Sequence, residues 1–279
     1  MTKPKPFIKW VGGKTKLLPQ LTPLLPPSFN TYHEPFLGGG AMFFHLWNEG
    51  KLKPQGYAQL SDSNTLLIHT YRMVRSFPDE LITRLGEYQA KHSPEFYYEV
   101  RDGLNNHTII VNVDRAAAFI YLNKTGFNGL YRENLQGKIN MAIGSYKNPC
   151  ICDPDTILAA SQALDSTILF RESVGRRSPK AGDFVYLDPP YYPVSASSNF
   201  VGYQRHGFTE QDHRKLLQRF DEWASKGVHV MLSNSDCEFT RELYGSSQYA
   251  KVHTATTGRS INSKGDRRGK VTELVVTSY

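Results

Sequence analysis

Phe184-Val185-Tyr186-Leu187 is a short apolar run that breaks off at Asp188-Pro189-Pro190-Tyr191. The run suits a buried strand. Proline has no amide hydrogen and fixes its own φ, so a central strand must end at the prolines. In an open α/β sheet the carboxyl ends of the strands are where ligands are handled. The pattern therefore predicts an α/β fold with a carboxylate, two rigid prolines and an aromatic ring at a reactive edge.

Those four residues fit methylation of an amine conjugated to a ring. Such an amine is a poor nucleophile, because its lone pair is delocalised. Asp188 offers an acceptor for one N–H and the Pro189 carbonyl an acceptor for the other. Both favour the positive charge that grows on nitrogen as a methyl group arrives. The Pro189-Pro190 backbone holds its carbonyl still, and preorganised dipoles are often the largest catalytic contribution. Tyr191 is placed to stack on the ring. An Asp-Pro turn that merely ends a strand is the simpler alternative.

Bulk properties narrow the partners. The chain has 279 residues, room for one large domain or two smaller ones, and a formal net charge of +7. That balance suits a polyanionic partner. No apolar run approaches the roughly 18 residues of a membrane helix. The opening Met-Thr-Lys-Pro-Lys-Pro-Phe-Ile-Lys-Trp lacks a signal-peptide core. Three cysteines, Cys150, Cys152 and Cys237, exclude a disulfide framework and fit a reducing cytosol. Pro149-Cys150 is a pair that can carry a nucleophile for carbon methylation, but nothing else supports that, and Cys150 is read as inert. No metal site is expected.

Two glycine loops precede the strand. Gly12-Gly13-Lys14-Thr15 resembles a phosphate-binding loop, but Ile8 stands where that motif needs another glycine, so a nucleotide triphosphatase is rejected. Trp10 and Lys14 beside the glycines still suggest close approach to a ligand; a plain turn into a helix near Leu17 is the alternative. His33-Glu34-Pro35-Phe36-Leu37-Gly38-Gly39-Gly40 then leads into the helix-compatible Met42–Trp47. Strand, glycine turn and helix is how α/β folds cradle a nucleoside-containing cofactor. Ala58 to Ser61 reads as another strand, ending at Asp62 about 20 residues after the loop, where an acid would bond ribose hydroxyls. Alternatively, Asp62 is the N-cap of a helix from Asn64 to Val74.

Composition changes between about Leu66 and Tyr146. Helical patterns cover Pro94 to Leu104 and Asp114 to Lys124. Asn128-Gly129 and Gly137 then look like hairpin punctuation. Phe127, Tyr131 and Tyr146 interleave with Lys124, Arg132, Lys138 and Lys147, which suits nucleic-acid contact on a projecting hairpin. Beyond Tyr191 come a polar loop (Ser195, Ser197, Ser198, Asn199, Tyr203 to His206) and a helix to Ser225 capped by Thr209 with Asp212. A strand from Val228 to Asn234 follows. A basic run of Arg259, Lys264, Arg267, Arg268 and Lys270 precedes a last strand from Val271 to Ser278.

Phe-Ile-Lys-Trp-Val-Gly-Gly-Lys at 7–14, Glu-Pro-Phe-Leu-Gly-Gly-Gly at 34–40, Asn-Gly-Leu-Tyr-Arg at 128–132 and Asp-Pro-Pro-Tyr at 188–191 occur in one order. With these four motifs, over nearly its full length, the chain resembles the Dam-type DNA adenine-N6 methyltransferases. The resemblance implies an α/β, Rossmann-like methyltransferase with a mixed seven-stranded sheet. It also implies a smaller, mostly helical target-recognition domain with a β-hairpin, inserted at 66–148 between catalytic segments 1–65 and 149–279. S-adenosyl-L-methionine is the implied cofactor, contacted by Trp10, Lys14, Glu34, Phe36, Gly38, Gly40, Asp62 and Asp188. Asp188, Pro189, Pro190 and Tyr191 would form the pocket for an adenine extruded from the stack. Lys9, Leu130 and Arg132 would read GATC in double-stranded DNA, Phe127 would wedge into the stack, and Asn128 and Tyr146 would complete the DNA surface. A monomer in the cytoplasm, on the nucleoid through its DNA, is the implied state. The chain departs from close relatives at Ser145, where they carry arginine, and at Ala142, where they carry proline. These changes bear on salt dependence and flanking preference.

Two other readings compete. One is a methyltransferase of RNA or of a protein glutamine amide, since Pro-Pro-Tyr loops also serve planar amides. The other is a DNA-binding protein on a catalytically dead scaffold. Phe127 and Arg132 argue against the first, and the intact Asp188 and glycine loops against the second.

Overall fold

The computed structural model describes residues 2–52, 58–171, 174, 178–194, 208–258 and 270–279, except for the side chains of 257, 258, 270 and 271. The polar loop at Ser195 to His206 and the basic run from Arg259 to Arg268 lie outside the described residues, as does the Lys270 side chain.

The described residues form two compact units. The first is drawn from 1–13 and 37–172. It holds helices α2 (Ala41–Asn48), α3 (Thr65–Ser76), α4 (Pro78–Ala90), α5 (Pro94–Asn105), α6 (Asn112–Thr125) and α7 (Pro154–Leu164), with strands β2 (Ala58–Ser61) and β3 (Thr167–Phe170). The second is drawn from 14–36, 173–202 and 206–279. It holds α1 (Leu18–Leu21), β1 (Tyr32–Glu34), β4 (Phe184–Leu187), α8 (Glu210–Ser225), β5 (His229–Ser235), α9 (Glu238–Gly245), β6 (Lys251–Gly258) and β7 (Lys270–Thr277).

The sheet has seven strands in the order β3-β2-β1-β4-β5-β7-β6. β2 runs parallel to β3, and β4 runs parallel to both β1 and β5. β7 is antiparallel to β5 and to β6, which makes the sheet mixed. All four residues of β4 are buried, as its unbroken apolar run requires for a strand covered on both faces. In the second unit Leu216, Phe220 and Trp223 of α8 and Leu243 and Tyr244 of α9 pack with Val185, Leu187, Val230, Leu232, Leu274 and Val276 of the strands.

In the first unit α6 is buried nearly all round, from Ala116 to Asn123, and packs against α3, α4 and α5. A helix apolar on every face belongs at the centre of a bundle. Its neighbours start on strong signals. Asn64 caps α3 by accepting the Leu67 N–H, and Ser93 caps α5 by accepting that of Phe96, followed by Pro94. In the second unit Thr209 and Asp212 form the reciprocal capping box of α8 that their spacing predicts. Among the described residues no helix is long and apolar enough to cross a membrane.

The expected hairpin takes a different form. Asn128 and Gly129, with φ of 56° and 63°, lie in a 3-10 turn (Phe127–Gly129) that leads sharply out of α6. The return at Asn134–Gly137 does reverse the chain, but pairing is limited to isolated bridges, Gly126↔Ile143 and Glu133↔Ile139. The Asn105 carboxamide of α5 accepts the Ile139 N–H at 2.7 Å and donates to its carbonyl at 2.9 Å. A side chain thus satisfies backbone groups that a ladder would have used. Helices α4, α7 and α9 and strands β3 and β6 had no clear sequence counterpart. β3 and β6 are short or polar runs at the two ends of the sheet, where one-sided pairing demands little apolar character.

Candidate active site

In the second unit β4 delivers Asp188 to its carboxyl end. Lys14, only 3% exposed, brings its Nζ to 2.7 Å from Asp188 Oδ1. The ammonium donates to Oδ2 at 2.8 Å, so it faces both carboxylate oxygens; at the buried Oδ1 the contact is an ion pair without hydrogen-bond alignment. Burial pushes the Asp188 carboxyl up to about 6, and the Lys14 charge opposes that rise without cancelling it. Pro189 is buried, and Pro190 half-buried, directly after it. The Tyr191 ring lies 4.7 Å from Lys14 Nζ, and its hydroxyl donates to Glu273 of β7. The following Tyr192 is held through its backbone: its N–H donates to Asn234 Oδ1 at 3.1 Å and its carbonyl accepts from Ser235 Oγ at 2.7 Å. Glu34, at the end of β1, is buried and accepts the Tyr32 hydroxyl at 2.8 Å. Phe36 meets Phe208 edge to face at 5.9 Å.

In the first unit the glycine turn is built against Trp10 and Asp62. Gly38 has φ of 48°, and a Cβ there would lie 2.6 Å from Trp10 Cδ1. Gly40 has φ of 70°, and a Cβ there would meet Tyr71 Oη at 2.9 Å. Only glycine fits either position. Asp62 Oδ2 accepts the Gly38 N–H at 3.1 Å and Oδ1 accepts that of Asn64 at 2.9 Å. Both oxygens therefore brace backbone, and the cap of α3 is Asn64, not Asp62. Burial pushes the Asp62 carboxyl above its usual range, against those backbone bonds.

The residues expected to read DNA also lie in the first unit. Lys9 Nζ donates to the Tyr146 hydroxyl at 3.1 Å and sits 4.2 Å from that ring's centroid. Asn123 of α6 accepts the Lys9 N–H at 2.8 Å and donates to the Lys9 carbonyl at 2.7 Å and to that of Gly129 at 3.2 Å. At Gly129 a Cβ would lie 2.4 Å from Lys9 Cδ, so the turn closes directly on the Lys9 side chain. Phe127 is 59% exposed; Asn128 is exposed and Leu130 half-buried. The Phe127 N–H donates to the Ala142 carbonyl at 2.8 Å. Arg132 is exposed, with its Nε bonded to Asn140 Oδ1 at 3.1 Å. Tyr131 departs from expectation. It is buried and stacks on Trp10 at 5.9 Å and 15°, so it is not an outward-facing aromatic. Lys124 is also partly buried, which lowers its pKa.

Sequence reasoning missed Glu273, Asn234, Ser235 and Asn123. Asn123 carried the clearest signal, as an amide in the middle of an apolar helix. The others sit on strands and gain their partners only through sheet pairing.

A mixed seven-stranded sheet, with Asp-Pro-Pro-Tyr leaving the end of a central parallel strand, defines a Rossmann-like methyltransferase. The family model of the D12 class N6 adenine-specific DNA methyltransferases matches residues 10–261, and the chain belongs to that family. It is 39% identical to the type II methyltransferase M1.LlaDCHI of Lactococcus lactis subsp. cremoris, over 99% of this chain and 95% of that one. It is 37% identical to the type II methyltransferase M.MjaIII of Methanocaldococcus jannaschii, over 99% of each chain. It is 34% identical to the DNA adenine methylase of Escherichia coli K12, over 99% of this chain and 95% of that one. The protein is thus an adenine-specific DNA methyltransferase, with DNA as its substrate.

Proposed function

We propose that the enzyme methylates N6 of an adenine extruded from double-stranded DNA, within the sequence GATC. The observation that carries the chemistry is the Asp188 carboxylate at the end of β4, paired with Lys14 and followed directly by Pro189, Pro190 and Tyr191. An ionised carboxylate has several lone-pair sites, so Asp188 can take an N–H donor while it stays paired with Lys14. One N6 hydrogen goes to Asp188 and the other to the Pro189 carbonyl, with Tyr191 stacked on the base. Both acceptors stabilise the charge that develops on nitrogen, and Lys14 keeps Asp188 ionised despite its burial.

The donor set fits S-adenosylmethionine, which supplies the electrophilic methyl group when bound. Trp10, the Gly38 and Gly40 positions and Asp62 are the proposed contacts of the first unit. Lys14, Glu34, Phe36 and Asp188 are those of the second. The glycines let the turn pack directly on Trp10 and Tyr71, which fixes its backbone beside the proposed nucleoside site.

Residues 66–148 are proposed as the target-recognition domain, set into a catalytic domain of 1–65 and 149–279. Exposed Phe127 and Arg132, with Lys9 beside the same turn, support GATC reading by the family's pattern. A monomeric enzyme acting on cytoplasmic, nucleoid DNA fits this reading. The test is expression in a strain lacking adenine methylation, followed by mapping of methyl-adenine across the genome. Methylation confined to GATC is the expected result; another motif overturns the specificity, and no methylation overturns the activity.

A further inference from the structure

Glu273 has no part in the chemistry described so far. It lies on β7 in register with Ser235 of β5, and its carboxylate accepts the hydroxyl hydrogen of Tyr191. A phenol has one hydrogen to give. Burial, with the nearby carboxylates of Asp188 and Glu273, raises the Tyr191 pKa well above its ordinary value, so the hydroxyl stays protonated and donates. A bond to an ionised acceptor is among the stronger side-chain contacts. A tyrosine ring has two torsions, so tethering its far end to a β-strand removes most of its freedom to swing. The next residue is tied to β5 at both backbone groups, by Asn234 and Ser235. The paired ends of β5 and β7 thus anchor the loop that leaves β4.

We propose that Glu273 is a positioning residue for methyl transfer: through its bond to the Tyr191 hydroxyl it sets the tilt of the ring that the target adenine stacks on. The inference rests on the reading that Tyr191 stacks on an extruded base. Glu273 acts through Tyr191, not on the reacting atoms. Its effect falls on the geometry of the bound complex, and so on kcat more than on DNA affinity.

The experiment uses the full chain with S-adenosylhomocysteine and a duplex carrying 2-aminopurine at the target adenine. Its emission rises when the base leaves the stack and is quenched where the base meets an aromatic ring. Steady-state kinetics on the natural duplex run alongside. Glu273→Ala should brighten the complex and lower kcat roughly 10-fold, as expected for a misplaced reacting pair, with KM for DNA within about twofold. Glu273→Gln retains an acceptor without the charge and should recover most of both signals. Tyr191→Phe removes the same bond from the other side, so it should match Glu273→Ala and carry the test if that variant fails to fold. Wild-type emission and kcat in Glu273→Ala or Tyr191→Phe overturn the inference alone. If Tyr191→Ala also leaves emission and kcat unchanged, the stacking reading fails and the inference falls with it.

Discussion

Lys14 and Asp188 form a close ion pair: the Lys14 ammonium donates to Asp188 Oδ2 at 2.8 Å and lies 2.7 Å from Oδ1. The pair favours the ionised form of Asp188 against the burial that opposes it.

The pair makes the pH dependence specific. Asp188 rises from 3.8 to about 6 in the fold, with burial the leading cause. The folded state therefore holds a proton that the unfolded state has lost between those values. Stability from this group is greatest below pH 3.8 and declines as pH rises to about 6. Activity needs the ionised form, so kcat/KM should fall on the acid side with an apparent pKa of about 6. Lys14→Met removes the opposing charge and should move that limb to higher pH. A limb that stays in place at saturating cofactor refutes the assignment to Asp188.

Asp188→Ala should leave the fold intact and slow single-turnover methyl transfer by about 10²-fold or more, as for the loss of one preorganised hydrogen-bonding group. Rapid-quench measurement at saturating cofactor checks this. A rate within threefold of wild type places the chemistry elsewhere.

Asp62→Ala should weaken S-adenosylmethionine binding by about 1.5–3 kcal/mol, the range for bonds to a charged group. The structure adds a second cause, since the carboxylate also braces the Gly38 amide. Gly38→Ala drives a Cβ to 2.6 Å from Trp10 at a positive φ and should lower affinity too. Calorimetry on both variants checks the pair. An unchanged affinity in Gly38→Ala removes the turn from the cofactor site.

Asn123→Leu is predicted to destabilise the fold by roughly 1–3 kcal/mol, because it leaves the Lys9 N–H and two carbonyls unmatched inside the first unit. Urea melts read that cost. Discrimination between GATC and singly altered duplexes should drop as well, since Lys9 is then no longer held to the recognition turn. Full discrimination in a folded variant makes the clamp purely structural.

Arg132→Ala should cost about 1–3 kcal/mol on GATC and little on duplexes altered at the guanine it reads, the behaviour of a bidentate base contact. Binding to the variant duplexes at two salt concentrations checks this. A uniform loss on every duplex makes Arg132 a phosphate contact.

Much of the local structure around the candidate site was legible along the chain. The strand-ending prolines, the α8 capping box and the glycines at 38 and 40 are local signals, and the structure uses each where its spacing predicts. The hairpin expectation held only in part. Asn128-Gly129 is a hairpin signal when ladder partners flank it, but here α6 ends directly before it and Asn105 takes the neighbouring backbone. Tyr131 was misread for a similar reason: alternation with basic residues suggests a surface, and only packing against Trp10 shows it turned inward.

The sequence alone determined where β4 ends and where α3, α5 and α8 begin, because caps and prolines act within a few residues. It also placed Asp188 at the end of β4, through a motif only four residues long. Tertiary structure decided that Lys14 pairs with Asp188, which groups Asp62 braces, and that Glu273 holds Tyr191 across 82 positions. Those partners are brought together by sheet pairing and burial, which depend on the whole fold and leave no periodicity in the chain.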